Sequence, residues 1–225
     1  MYKTRLTSVD RLQAIRSISA NRKVLHVGCC GIVQKLKDPI QAGHHLHNSI
    51  VKVAAEAHGI DTDAADLQVM AEYGISNLKE GDASQLKLAY PDEHFDVVIF
   101  GNMFNYLDSP IEVLRATSEL LSPAGEVVIT IENDYAIKRM LRYLLTGTDS
   151  CFRHHLFSLG PFTFQQMVKK AGYDITSLES YWVGPDIYAK QSLKSALGNQ
   201  FFKLLPRAAN LADGLLLRAQ YSNDT

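Results

Sequence analysis

Apolar residues along this chain come in short runs, separated by stretches with helical spacing. Leu12, Ile15 and Ser19 give one apolar side to a helix over residues 8–20, and Lys23–Val27 follows as a first strand. Residues 28–43 read as a loop interrupted by Pro39, residues 44–55 as a helix, and a short strand ends at Asp61. Ala64, Leu67, Met70 and Ala71 lie on one helical face, and a third strand is expected near residues 76–80. Residues 95–100 are almost continuously apolar, as in a strand covered on both faces. Ser109 as N-cap, Pro110 as first helical residue and Glu112 in a capping box predict a helix that Leu121-Ser122-Pro123 stops. Residues 126–131 form another buried strand. Thr163 and Gln166 predict a second capping box, with Phe162 stapled to Met167. Phe164, Met167, Val168 and Ala171 share that helix's apolar face, and Gly172 ends it. Residues 175–182 read as a strand, 190–213 as helix and loop, and 215–221 as a last strand. Strands alternating with helices imply βαβ units and a mainly parallel sheet in one domain over 1–225. That domain divides into an N-terminal helix (1–21), a core (22–182) and a C-terminal helix, loop and strand (183–225).

Four strand ends carry candidate chemistry. Val24-Leu25-His26-Val27-Gly28-Cys29-Cys30-Gly31 runs from a buried strand into a glycine turn, where backbone can approach a ligand. Gly59-Ile60-Asp61 puts a carboxylate where ribose hydroxyls can donate to it; Asp61 or Asp63 can equally cap the next helix. Asp82 of Gly81-Asp82-Ala83 can accept from an adenine amino group, or be a solvated turn residue. Phe95-Asp96-Val97-Val98-Ile99-Phe100-Gly101-Asn102 ends where a reacting group would lie, with Asp96 orienting backbone groups only. The spacing from Gly28 to Asp61 exceeds that of dinucleotide folds, so the loop between must carry extra structure. The G-x-G-x-x-G fingerprint is absent, which argues against a nicotinamide-dependent oxidoreductase.

Composition narrows the class. The 225 residues are 46% hydrophobic and 21% charged with a formal charge of −1, a globular balance with no basic excess to suit nucleic acid. Cys29, Cys30 and Cys151 cannot all pair, which points to a reducing, cytoplasmic setting. Nothing after Met1-Tyr2-Lys3-Thr4-Arg5 reads as a signal peptide, and no apolar run reaches ~18 residues.

The order of these motifs resembles the class I methyltransferases, closest to the bacterial branch with a methyltransferase-11-type domain, found beside small-molecule and glycan biosynthesis. Supporting stretches are Leu46-His47, Gly59-Ile60-Asp61, Phe104 through Pro110, Leu120-Leu121-Ser122-Pro123-Ala124-Gly125-Glu126, Ile131-Glu132-Asn133, Leu156-Phe157-Ser158 and Phe164 through Tyr173. The resemblance covers residues 22–182 and implies a Rossmann-like α/β sheet of about seven strands, the last antiparallel, with helices on both faces. It implies S-adenosyl-L-methionine as cofactor, held by His26, Gly28, Cys29, Gly31, Asp61, Thr62, Asp82, Ala83, Asn102 and Met103. It further implies a small-molecule or glycan-type methyl acceptor. Asn102, Tyr106, His154 and His155 are the candidates for base or acceptor contact, the last two otherwise being surface loop residues.

The chain departs from the family at four places. His26 stands where an acid is usual, and can take part of that role or be a satisfied core histidine. Cys30 replaces a small glycine. Asn105-Tyr106 replaces Glu-His, and a phenol, titrating near ~10, is a poor base at neutral pH. These departures motivate the alternative of a catalytically silent partner or regulatory subunit. Cys151, His154 and His155 lack a fourth ligand, so no metal is expected. His44, His45 and His47 spread around a helix and suit a solvated or partly packed face. Phe201 through Arg207 is amphipathic and is expected to pack over the sheet rather than touch a membrane. The oligomeric state is not legible.

Overall fold

The computed structural model describes residues 6–31, 36–148, 155–183 and 208–222. In chain order the elements are β1 (Ser8–Val9), α1 (Arg11–Ser19), β2 (Lys23–Val27), α2 (Lys37–Gln41), α3 (Leu46–Val51), β3 (Glu56–Asp61), α4 (Ala64–Glu72) and β4 (Leu78–Glu80). There follow α5 (Leu86–Ala89), β5 (Phe95–Gly101), α6 (Pro110–Ser118), β6 (Leu121–Glu132), α7 (Ile137–Thr146), α8 (Pro161–Lys170), β7 (Tyr173–Tyr181) and β8 (Gly214–Tyr221). The strands form one sheet in the order β1-β7-β8-β6-β5-β2-β3-β4. β2 to β6 pair in parallel, whereas β8 runs antiparallel to both β6 and β7. The Rossmann-like α/β class and the antiparallel last strand are as expected; the two-residue β1 adds an eighth strand inside the stretch read as helix.

Both faces of the sheet are buried, and alternate residues supply the two cores. Leu25, Val98, Phe100, Ile129 and Leu217 point to one side, where α6 and α8 contribute Val113, Leu114, Phe164 and Val168. Val24, Val97, Ile99, Val128 and Leu216 point to the other, under Ile15 of α1 and Ile50 of α3. This is why the strands read as apolar runs rather than alternating ones. Asp96 behaves as expected: its carboxylate accepts from the Lys23 N–H at 2.9 Å, joining β5 to β2.

Several boundaries differ from expectation. The loop 28–43 contains α2, with Pro39 in its first turn, where a missing N–H costs no helical bond. The helix expected over 44–55 is confined to Leu46–Val51 because the His45 side chain caps it, accepting from the Asn48 N–H at 3.3 Å. α8 starts at Pro161 with Gly160 as its cap, so Thr163 lies inside the helix and the Thr163–Gln166 box does not form. Ser109 is the N-cap of α6 without a side-chain bond, and Glu112 pairs with Arg115 instead. The helix α7 was not foreseen. Residues 184–207, including the Phe201–Arg207 stretch and most of the expected helix and loop, lie outside the described residues, as do Cys151 and His154.

Candidate active site

The carboxyl ends of β2, β3, β4 and β5 converge on a cavity of about 450 Å³. That is within the ~300–1,000 Å³ usual for small-molecule sites. All ten residues expected to hold a cofactor line it: His26, Gly28, Cys29, Gly31, Asp61, Thr62, Asp82, Ala83, Asn102 and Met103. Tyr106 and His155 line it too.

The turn after β2 is shaped by Gly28, whose φ of +73° few other residues adopt and whose Cα faces the Met103 side chain closely. Beyond it, the Cys30 N–H donates to Asp61 Oδ2 at 2.9 Å, and the Asp63 N–H donates to Asp61 Oδ1 at 3.2 Å. Asp61 therefore does not cap α4; Asp63 does, accepting from the Asp66 N–H at 3.0 Å. Asp82 accepts from the Ser84 N–H and hydroxyl at 2.7 and 2.6 Å, bonds that hold its carboxyl below the usual range. It is thus both a turn residue and a cavity residue. Asn102 adopts φ +56°, a left-handed conformation that is uncommon away from glycine. Its N–H donates to Thr130 O and Oγ1, and its Oδ1 accepts from the Tyr181 hydroxyl at 2.8 Å.

The histidines differ from expectation. His26 is 2% exposed, yet neither ring nitrogen has a hydrogen-bond partner among the described residues. It is not a satisfied core histidine. Burial, then His47, His45 and Arg11, hold it neutral, well below the usual histidine range. His47 is fully buried against it, ring centroids 5.5 Å apart, and its pKa falls to about 3. His45 lines the cavity. Its Nδ1 accepts from Asn48, so Nε2 carries the proton and donates to Cys30 O at 3.3 Å. Only His44 of that trio is partly solvated.

Among the further cavity residues, Arg11, His45 and Glu132 escaped the sequence reading. Arg11 is buried, with Nε and Nη2 donating to Thr130 Oγ1 at 3.4 and 3.3 Å and its guanidinium 5.7 Å from the Tyr181 ring centre. Its signal was position: it precedes Ile15 and Ser19 by one and two helical turns on the buried stripe. At the far side, Tyr106 meets His155 edge to face, centroids 4.7 Å apart. Burial and then Arg139 lower the His155 pKa against the pull of Glu132, so the ring is neutral at pH 7. Asn105, by contrast, is buried and bonded to Phe157 O, away from the cavity.

A nucleoside-sized cavity at the carboxyl ends of a doubly covered parallel sheet, closed by an antiparallel last strand, defines a class I methyltransferase fold. The family described as methyltransferase domain matches residues 38–178, and the chain belongs to it. The protein is thereby an enzyme of the S-adenosylmethionine-dependent methyltransferase class. The turn from His26 to Gly31 precedes the matched stretch. Among curated relatives, ubiquinone biosynthesis O-methyltransferase of Nitrosococcus oceani is 25% identical over 190 residues, 78% of this chain and 74% of the relative. The protein of the same name from Stutzerimonas stutzeri is 28% identical over 118 residues, 51% of this chain and 46% of the relative. Among solved structures, a putative methyltransferase from Bacillus halodurans has a TM-score of 0.58 at 15% identity, covering 95% of this chain and 98% of that one. A SAM-dependent methyltransferase from Archaeoglobus fulgidus has a TM-score of 0.56 at 17% identity, covering 92% and 89%. At such identities the likeness is one of fold.

Proposed function

We propose that the cavity binds S-adenosylmethionine and that the chain transfers its methyl group to a hydroxyl of a small-molecule or glycan-type acceptor held beside Tyr106 and His155. The observation that carries this reading is the convergence of Asp61, Asp82 and the Gly28–Gly31 turn on one cavity that also contains Tyr106 and His155. When bound, the cofactor supplies an activated methyl group on its sulfonium. Asp61, fixed by two backbone N–H groups, keeps lone pairs free for ribose hydroxyls. Asp82 accepts from the purine amino group, and the Ala83 backbone meets the ring. Arg11 and the unpartnered nitrogens of His26 suit the charged amino-acid end, so the residues present fit the group although no acid stands at position 26.

An attacking hydroxyl has to lose its proton near the transition state, whereas a neutral amine can lose it afterwards. His155, neutral at pH 7 and facing the cavity, takes that proton. Tyr106 and Asn102 orient the acceptor. The names of the curated relatives, O-methyltransferases of ubiquinone biosynthesis, support an oxygen acceptor. The open cavity supports an enzyme over a catalytically silent partner.

The test is calorimetry with S-adenosylhomocysteine, followed by labelled-methyl transfer to pools of small hydroxyl acceptors. Folded wild-type protein binds the nucleoside, and Asp61→Ala weakens binding at least ~10-fold, the loss expected for a charge-assisted hydrogen bond. His155→Gln keeps that affinity and lowers kcat by ~100-fold or more. Folded wild-type protein without affinity for the nucleoside would sink the reading.

A further inference from the structure

We infer that Cys29, Cys30 and Asp61 form a site for one soft divalent cation of the Zn2+ or Cd2+ kind, whose binding excludes the nucleoside. The ligand atoms of these three residues all lie within 4.8 Å of one another. Tetrahedral Zn2+ with Zn–S bonds of about 2.3 Å and Zn–O bonds of about 2.0–2.2 Å sets its ligands under ~4 Å apart, so side-chain adjustments of less than ~1 Å close the site. Both cysteines are free and buried. The backbone fixes the third ligand, since the Cys30 N–H holds Asp61 Oδ2 at 2.9 Å. A disulfide is the poorer use of this pair. Adjacent Cα atoms are about 3.8 Å apart, and ordinary disulfides span about 4.4–6.8 Å.

The surroundings admit a cation. Cys29, Cys30 and Asp61 all line the cavity, which gives access and leaves the fourth position to water. Three protein ligands and one open position are a familiar arrangement for Zn2+. The His47 Cε1 and Cys29 Sγ flank the same point beside Gly59, at 3.0 and 2.8 Å from where a Cβ would sit. Binding forms two metal–sulfur bonds, and the thiol protons go to the buffer. A metal on Asp61 occupies the carboxylate assigned above to the ribose. The competition rests on that reading; the metal site does not.

The experiment uses the full chain carrying Cys151→Ser, in which Cys29 and Cys30 are the remaining thiols. Cd2+ is titrated into the reduced protein while thiolate-to-metal charge-transfer absorbance is followed. The expected result is one Cd2+ per chain and a charge-transfer band. S-adenosylhomocysteine at ~100 times its Kd then raises the apparent Cd2+ Kd ~100-fold. Folded protein with no band overturns the site. A band indifferent to a nucleoside that calorimetry shows bound overturns the competition. An intact band in protein that binds no nucleoside upholds the metal site while removing the cofactor reading.

Discussion

His26 and His47 stack at an interplanar angle of 20°, and neither ring has a hydrogen-bond partner among the described residues. A buried imidazole in that state is held neutral by its surroundings, so its folded pKa lies below the ~6.5 of the unfolded chain. The sign of the pH effect follows. Below ~6.5 the unfolded chain binds protons that the folded chain refuses, and stability falls as pH falls. Each such histidine contributes ~1.4 kcal/mol per pH unit, and for His47 the window runs down to about 3. Between ~6.5 and ~5.3 the lowered carboxylates stay ionised in both states, which isolates the histidine contribution. Urea unfolding across that window should show stability falling with acid, and His47→Leu should reduce the slope by about one proton. An unchanged slope in that variant would assign the acid sensitivity to other groups.

At the scale of elements, the sheet was legible because its strands are buried on both faces and apolar throughout, as at residues 95–100. The candidate site was legible because its residues sit at strand ends, Asn102 directly after the apolar run of β5, and Asp61 and Asp82 after the short Gly59-Ile60 and Glu80-Gly81 stretches. Local start signals misled where two competed. At α8 the Pro161 ring fixes the first turn before the Thr163 hydroxyl can act as a cap. Arg11 and His45 were missed as cavity residues because their roles come from which face of α1 or which end of α3 meets the sheet. For α7 the signal was present. Ile137, Met140, Leu141, Leu144 and Leu145 recur at helical spacing, and Gly147 at φ +64° stops the helix. What periodicity cannot show is direction, and no residue of α7 is buried. Because Leu145 is 82% exposed, Leu145→Gln should change unfolding free energy by no more than ~0.5 kcal/mol. Phe164→Ala, within the core under α8, should cost ~3–5 kcal/mol in the same urea titration. A large loss in the first variant would mean that the stripe is covered in solution.

Across the whole molecule, the cavity and the main ion-pair network occupy opposite ends of the sheet. Glu126 of β6, paired with Val97 near the entering end of β5, is buried and accepts from Arg218 at 2.7 and 2.9 Å and from Arg22 at 2.5 Å. Arg22 also donates to Asp96 O at 2.6 Å. One carboxylate therefore ties β8, β6 and the segment entering β2 together across β5. Burial pushes the Glu126 carboxyl up, but the two guanidiniums outweigh it and the net pKa is lowered. This contribution is present above the unfolded value of ~4.3 and is lost as pH falls through the folded one, overlapping the acid end of the His47 window. Removing the anion strands two cations, one of them in a half-buried position, so Glu126→Ala should destabilise the fold by about 3 kcal/mol. The cavity carboxylates Asp61 and Asp82 lie at the leaving ends of β3 and β4, and none of their hydrogen bonds involves Glu126, Arg22 or Arg218. Glu126→Ala should accordingly lower the urea midpoint while leaving nucleoside affinity, measured below that midpoint, within about twofold of wild type. Loss of affinity in parallel with stability would mean that the strand ends are positioned by the network at the other edge, and that fold and site do not vary independently in this chain.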